Sequence, residues 1–150
     1  MRVSQQGAEA NRTGKSFENE VRNFLVNSNY KPLPSPLYEA LWYSGGNRKN
    51  QSDIWLKKMD TQLELKFQNV SGTVDQKAFS ELYNASERID CAHFILVFGG
   101  AHWVKGRGKS IYENAKQHAK KLTNTPSRDG ARKLSAMTFD EFKEWIDEQS

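Results

Sequence analysis

Three side chains in two neighbouring segments have the types and spacing that a metal site needs. Asp53 precedes a short apolar segment, and Glu64 and Lys66 lie two residues apart in the next one. Carboxylate oxygens suit Mg²⁺, which binds one or two carboxylates and keeps its other positions for water and phosphate. We therefore interpret Asp53 and Glu64 as candidate metal ligands.

An acid-x-Lys triplet is weak evidence by itself, because this chain contains three of them. In two of the triplets the residues lie in or beside helical patterns, where positions i and i+2 point in different directions. Only Glu64 and Lys66 lie in a strand pattern, where positions i and i+2 share a face. The predicted secondary structure therefore selects Glu64/Lys66 from the three triplets. The other two are Asp75/Lys77 and Glu141/Lys143.

The alternation of apolar and polar residues predicts strands over residues 52–57 and 61–68, joined around Lys58 and Met59. Such a hairpin pairs Ile54 with Leu63 on one face and Asp53 with Glu64 on the other. Directly opposed residues have Cβ atoms roughly 5 Å apart, so the two carboxylates would repel each other unless a cation lay between them. The alternative is an exposed hairpin with a surface Glu–Lys pair, worth a few tenths of a kcal/mol.

The elements that must position these residues follow from periodicity. An apolar stripe predicts a helix that begins at Gly14, and the residues of that stripe are Phe17, Val21, Phe24 and Leu25. The pattern then predicts a strand over 37–44, a loop over 44–50, a helix over 75–89 and a buried strand over 92–98. The apolar side of the helix over 75–89 is expected to hold Phe79, Leu82, Tyr83 and Ile89. A basic loop over 103–109, a helix over 110–122, a short strand over 133–137 and a helix capped by Thr138 complete the chain.

This order predicts an α/β protein with a mixed β-sheet flanked by helices, in the order α-β-β-β-α-β. A meander of three strands, a crossover helix and a buried strand would form the sheet. The 150 residues suit one domain, with a core over about 14–100 and a basic C-terminal extension over about 101–150.

Composition narrows the class of protein. Cys91 is the single cysteine, so neither an internal disulfide nor a four-cysteine zinc site is possible, and a reducing cytoplasmic location fits. The sequence predicts neither a secretory signal nor a membrane span, because it has no apolar leader and no run of about 18 apolar residues. The net charge of +4 favours a polyanionic partner.

Taken together, these residues resemble the PD-(D/E)XK nuclease superfamily, the restriction-endonuclease-like fold. The resemblance rests on Gly14-x-x-Phe17-Glu18-x-x-Val21 in a first helix, Asp53 at a strand start and Glu64-x-Lys66 in the next strand. It covers residues 14 to about 100. By length and run of sequence, the chain most closely resembles a bacterial group I intron-encoded homing endonuclease of this fold.

The resemblance implies a role for each matched residue. Asp53 and Glu64 would ligate the metal, and Lys66 would position or activate the attacking water and help to neutralise the phosphorane. Glu18, or alternatively Glu20, would support the metal or the water, and Gln68 is a candidate for the shell around the ligands. Ser52 stands where the motif has its proline, which is the most dispensable part of the pattern.

The function that this implies is a site-specific, Mg²⁺-dependent endonuclease of double-stranded DNA, with Mn²⁺ able to substitute and Ca²⁺ able to bind without supporting cleavage. A double-strand cut calls for a homo-oligomer, either a dimer or a dimer of dimers. A Holliday-junction resolvase and a non-catalytic DNA-binding module are the alternatives. Five cations in two predicted loops are the first candidates for DNA contact: Arg48, Lys49, Lys105, Arg107 and Lys109.

Overall fold

The computed structural model describes residues 13–41, 47–69, 74–125 and 129–149. Within those ranges the chain forms helices α1 (Gly14–Asn27), α2 (Val74–Arg88), α3 (Gly106–Thr123) and α4 (Phe139–Glu148). The strands are β1 (Leu37–Leu41), β2 (Asn47–Gln51), β3 (Ile54–Leu56), β4 (Thr61–Phe67), β5 (His93–Gly99) and β6 (Lys133–Thr138).

A four-stranded mixed sheet organises the described part of the molecule, in the order β3-β4-β5-β6. β3 and β4 form an antiparallel hairpin, whereas β4, β5 and β6 run parallel. Parallel neighbours require crossover connections, and α2 and α3 supply them. The prediction of an α/β protein with a mixed sheet between helices is confirmed.

The two faces of the sheet carry separate cores. On one face, α2 and α3 pack against β5 and β6 through residues such as Leu82, Ala115 and Leu96. On the other face, α1 and α4 pack through residues such as Val21, Phe142 and Leu63. β5 lies between both layers, and every one of its residues is buried, as the continuous apolar run predicts.

The first strands of the chain differ from the prediction. Residues 47–50, expected in a loop, form strand β2 with Gln51 and pair with β1 from Leu41↔Asn47 to Leu37↔Gln51. These two strands form a sheet of their own, so the predicted three-stranded meander is wrong. The sequence of β2 is wholly polar and lacks the apolar alternation by which strands are recognised. Residues 42–46 lie outside the described residues.

The basic segment that follows β5 is helical where a loop is expected. A 3-10 turn spans Ala101–Val104, and α3 begins at Gly106, four residues before the predicted start. Gly106 and Gly108 make the sequence pattern favour a loop, because glycine disfavours helix interiors. Here they occupy the first turn.

The C-terminal residues belong to the same sheet and the same cores. β6 pairs with β5 along its whole length, and Phe142 and Ile146 of α4 are completely buried. Thr138 caps α4 as predicted, and its hydroxyl accepts from the Glu141 amide while the Glu141 carboxylate accepts from the Thr138 amide. Residues 133–148 therefore contribute to the central structure.

The described helices are amphipathic. α3, with 18 residues, buries four of them and exposes most of its lysines. In the part of the chain that the structure describes, no helix has both the length and the apolar character required to cross a bilayer.

Candidate active site on strand β4

Glu64 and Lys66 emerge from β4 on the face that α2 covers. The alternate residues of the strand, Leu63, Leu65 and Phe67, pack into the core on the opposite face. A period of two places the polar set together on one face, as the sequence predicts, and the structure shows that α2 covers this face. Both polar side chains are mostly buried: the side chain of Lys66 is 11% exposed and that of Glu64 is 15% exposed.

Asp53 meets them from the start of β3. The observed register pairs Ile54 with Leu63 and Leu56 with Thr61, which confirms the predicted hairpin. One further step along that register brings Asp53 beside β4, where its Oδ2 accepts a 2.7 Å hydrogen bond from the Leu65 amide. The backbone of β4 therefore fixes the Asp53 carboxylate next to Glu64.

The hairpin is short and tightly closed. A 3-10 turn over Lys57–Met59 leads to Asp60, which has a positive φ of 47°. Aspartate tolerates this left-handed conformation better than most residues do. The Asp60 carboxylate also accepts hydrogen bonds from the Trp55 indole and the Ala92 amide, which anchors the turn to the neighbouring strands.

Glu64 interacts with each of the other charged groups of this site, which are Asp53, Lys66 and Glu81. Burial raises the pKa of its carboxyl well above 4.5, and the charges of Glu81 and Asp53 raise it further, whereas Lys66 opposes them. Its Oε1 is buried and accepts no hydrogen bond from the described residues. The carboxyl group thus needs either a proton or a cation.

Glu81 is a site residue that sequence reasoning missed. It lies on α2, its side chain is 18% exposed, and its Oε1 accepts a hydrogen bond from Lys66 Nζ. The predicted apolar face of this helix included Phe79 and Tyr83, yet Tyr83 is 48% exposed. The true buried stripe runs through Ala78, Leu82, Ala85 and Ile89, and this phase would have placed Glu81 beside the sheet.

Tyr38 of β1 is the second missed residue. Burial and the charges of Glu64 and Glu81 raise the pKa of its phenol. Asn50 of β2 donates a 3.2 Å hydrogen bond to the phenolic oxygen, so the two-stranded sheet contributes one wall of the site. The sequence pattern predicts a loop over residues 47–50, so it could not place this wall of the site.

The acids of α1 lie further from the predicted chemistry. Glu18 accepts a 2.9 Å hydrogen bond from Arg22, and Arg22 Nη2 donates at 3.2 Å to the Asp53 carbonyl oxygen. Glu18 therefore reaches the site through Arg22 and the Asp53 backbone. Glu20 is exposed and borders a separate cleft beside Gly99 and Gly100.

Gln68 is buried directly after β4 and connects the site to the basic segment. Its amide donates to Gly99 and its carbonyl oxygen accepts from the His102 amide, both at 3.1 Å. Gly108 of α3 lies against the His102 carbonyl, where a Cβ atom would stand 1.8 Å from the oxygen. The start of α3 is thus tied to the end of β4, two residues beyond Lys66.

The predicted DNA-contacting cations lie in two groups. Lys49 is exposed on β2, opposite Glu39 of β1, and the side chain of Arg48 lies outside the described part. Lys105, Arg107 and Lys109 are all exposed around the first turn of α3, which contains no acidic residue. Both groups lie on elements that adjoin the site, although neither forms the loop that the sequence predicts.

The donor set fits a cation that needs few protein ligands. No group of three or more His, Cys, Asp or Glu side chains gathers as a metal cage anywhere in the described ranges. Mg²⁺ requires no such cage, because one or two carboxylates with water and phosphate complete its shell. Glu64 Oε1 and Glu81 Oε2 are both buried without a hydrogen-bond donor among the described residues, so the site offers carboxylate oxygens to a cation.

Comparison of the chain with protein-family models, with curated proteins and with solved structures finds no match in any of the three.

Proposed function

We propose that this protein is a metal-dependent endonuclease of double-stranded DNA, built on a restriction-endonuclease-like fold of the PD-(D/E)XK superfamily. The observation that carries the proposal is the meeting of Asp53, Glu64 and Lys66 on one side of β4, with Glu64 held in a mostly buried carboxylate cluster. Such burial costs stability unless a cation or proton compensates the charge, so the cluster is better explained by binding than by folding.

Asp53 and Glu64 are the residues that would hold Mg²⁺. A bound divalent ion supplies a more acidic water and stabilises charge that develops on a phosphate. Lys66, which is also nearly buried, places an ammonium group beside the same carboxylates, where it can neutralise a phosphoryl oxygen or orient a water molecule. Glu18 supports the position of Asp53 through Arg22.

The exposed cations support a nucleic acid as the substrate. Lys105, Arg107 and Lys109 surround the first turn of α3, whose free amides and helix dipole also favour phosphate. Cleavage of both strands requires two such sites, so we propose a homo-oligomer, a dimer or a dimer of dimers. The proposed setting is the cytoplasm, in keeping with the single cysteine.

The decisive experiment incubates the purified protein with supercoiled plasmid and with a synthetic four-way junction, each with Mg²⁺, with Mn²⁺, with Ca²⁺ and with a chelator. We expect Mg²⁺ and Mn²⁺ to support linearisation of plasmid that contains a preferred site, and Ca²⁺ to support binding alone. Preferential resolution of the junction would instead identify a junction resolvase. Binding without cleavage under any metal would identify a DNA-binding module.

Two lysine variants tie the activity to this site. Lys66→Met keeps the aliphatic stem but removes the ammonium, and should lower the cleavage rate at least 100-fold while leaving DNA affinity within a few-fold. Lys58→Met is the matched control, because Lys58 is exposed in the turn of the same hairpin. Full cleavage by Lys66→Met would remove Lys66 from the chemistry.

A further inference from the structure

The position of Lys66 is unexpected for its place in the sequence. Glu64 and Lys66 are two residues apart on one strand face, so their side chains rise next to each other and would be expected to pair. Yet Lys66 Nζ lies 4.0 Å from Glu64 Oε2, at the limit of an ion pair. Its direct hydrogen bond goes to Glu81 Oε1 on α2. The direct partner of the Lys66 ammonium is therefore Glu81 on the helix and not its strand neighbour Glu64.

This separation matters for any cation that Glu64 binds. An ammonium in direct contact would occupy the oxygens of Glu64 through charge-assisted hydrogen bonds. It would also offset the negative charge that attracts a metal, and it would do so strongly because these side chains are only 11–18% exposed. As the site stands, Glu64 Oε1 has no donor among the described residues.

The packing of α2 explains how Glu81 reaches the strand. The helix meets the sheet through Ala78 and Ala85 on either side of Leu82, and all three are completely buried. Small side chains allow a close approach of helix and sheet. Glu81, beside this stripe, is thereby brought to β4, and its other oxygen, Oε2, is also buried without a donor among the described residues.

We propose that Glu81 is a positioning residue that holds Lys66 off Glu64 and so keeps the Glu64 carboxylate available to a divalent cation. The inference rests on the proposed function and adds to it a residue outside the motif. It predicts that loss of Glu81 weakens metal binding by way of Lys66, since the released ammonium would turn to Glu64.

A double-mutant cycle separates this role from a simple loss of negative charge. Ca²⁺ affinity, measured by calorimetry without DNA, is compared for the parent, Glu81→Gln, Lys66→Met and the double variant. We expect Glu81→Gln to weaken Ca²⁺ binding about tenfold, and to have no such effect once Lys66 is Met. An equal loss in both backgrounds would mean that Glu81 acts on the ion directly and would overturn the proposal, as would unchanged affinity in Glu81→Gln.

Two further variants control the cycle. Glu87→Gln removes the same charge from α2, six residues and about 9 Å further along the helix, and should leave the affinity within about twofold. Glu81→Asp retains a carboxylate and should restore part of the affinity.

A crystal structure of metal-free Glu81→Gln provides a readout that needs neither metal nor activity. Lys66 Nζ should lie about 2.8 Å from a Glu64 oxygen, the length of a charge-assisted hydrogen bond. An ammonium that keeps its distance from Glu64 would refute the inference even if the protein cleaves DNA. Failure of the parent to cleave any DNA would refute the proposed function. The distance between Lys66 and Glu64 in the Glu81→Gln crystal structure would still decide the inference about Glu81.

Discussion

At the scale of single residues, burial and the neighbouring carboxylates of Glu81 and Asp53 make the charged form of Glu64 costly in the native state. The raised pKa of its carboxyl means that the native state binds a proton here more tightly than the unfolded chain does. Between pH 4.5 and the native pKa, the free energy of unfolding therefore falls as the pH rises, by up to about 1.4 kcal/mol per pH unit for one proton.

We expect Glu64→Gln, without metal, to be more stable than the parent at pH 7–8, with a gain that shrinks towards zero near pH 4.5. Glu141→Gln is the control of opposite sign. Burial raises the pKa of Glu141, but hydrogen bonds from Lys116, the Thr138 amide and Tyr112 outweigh burial and lower this pKa to about 2. Glu141 thus stabilises the fold above pH 4.5, and its benefit is lost as the pH falls towards 2. Chemical denaturation of the three proteins across this range provides the measurement, and a pH-independent gain for Glu64→Gln would contradict the burial argument.

Asp53 combines a structural hydrogen bond with a metal-binding oxygen. Asn at this position keeps an acceptor for the Leu65 amide but loses the charge, so Asp53→Asn should be at least as stable as the metal-free parent and unable to cleave DNA. Asp53→Ala loses the acceptor too and should be about 1 kcal/mol less stable than Asp53→Asn.

Mg²⁺ should raise the melting temperature of the parent by mass action and leave that of both Asp53 variants unchanged. Thermal melts should be repeated with a bound oligonucleotide and Ca²⁺, because a phosphate supplies further ligands. A Mg²⁺ response that survives in Asp53→Asn would exclude Asp53 as a ligand.

At the scale of elements, the contact between α3 and the preceding turn fixes where the basic residues stand. Gly108 lies so close to the His102 carbonyl that any side chain must push two backbones apart. We expect Gly108→Ala to cost about 1–3 kcal/mol of stability, as overpacking does. Gly14→Ala, in the first turn of α1 with open space around it, is the matched control and should be neutral or slightly stabilising. Urea denaturation measures both, and equal stability of the two variants would show that α3 can shift away from the turn.

Some elements around the site follow from the sequence pattern, and others do not. The register of β3 and β4 followed from strict alternation, since one residue of slip would have turned Leu63 and Ile54 away from the core. β2 could not be found in this way, because Asn47–Gln51 has no apolar face and forms a strand only by pairing with β1. Glu81 was missed because aromatic residues on α2 outweighed the alanines that truly contact the sheet.

At the scale of the whole molecule, the distribution of positive charge says more than its sum. Arg107 and Lys109 stand in the first turns of α3, where the helix dipole opposes cations, whereas Lys120 and Lys121 stand in the last turn, where it favours them. The first pair therefore works against folding by a few tenths of a kcal/mol each, while the second pair assists it. A cost of this kind is expected where charge serves binding.

This asymmetry yields a matched comparison between Arg107→Ala/Lys109→Ala and Lys120→Ala/Lys121→Ala. Each variant removes two positive charges at exposed positions, from opposite ends of the same helix. We expect the first variant to be at least as stable as the parent but to bind DNA more weakly. Its plot of log affinity against log salt concentration should be shallower by about 1.8, because each lost phosphate contact removes about 0.9 from the slope. The second variant should be slightly less stable and should keep most of the salt dependence. Titration of a labelled duplex with Ca²⁺ at several salt concentrations measures both slopes. If the two slopes fall equally, the protein attracts DNA through its net charge alone, and the start of α3 has no special part in binding.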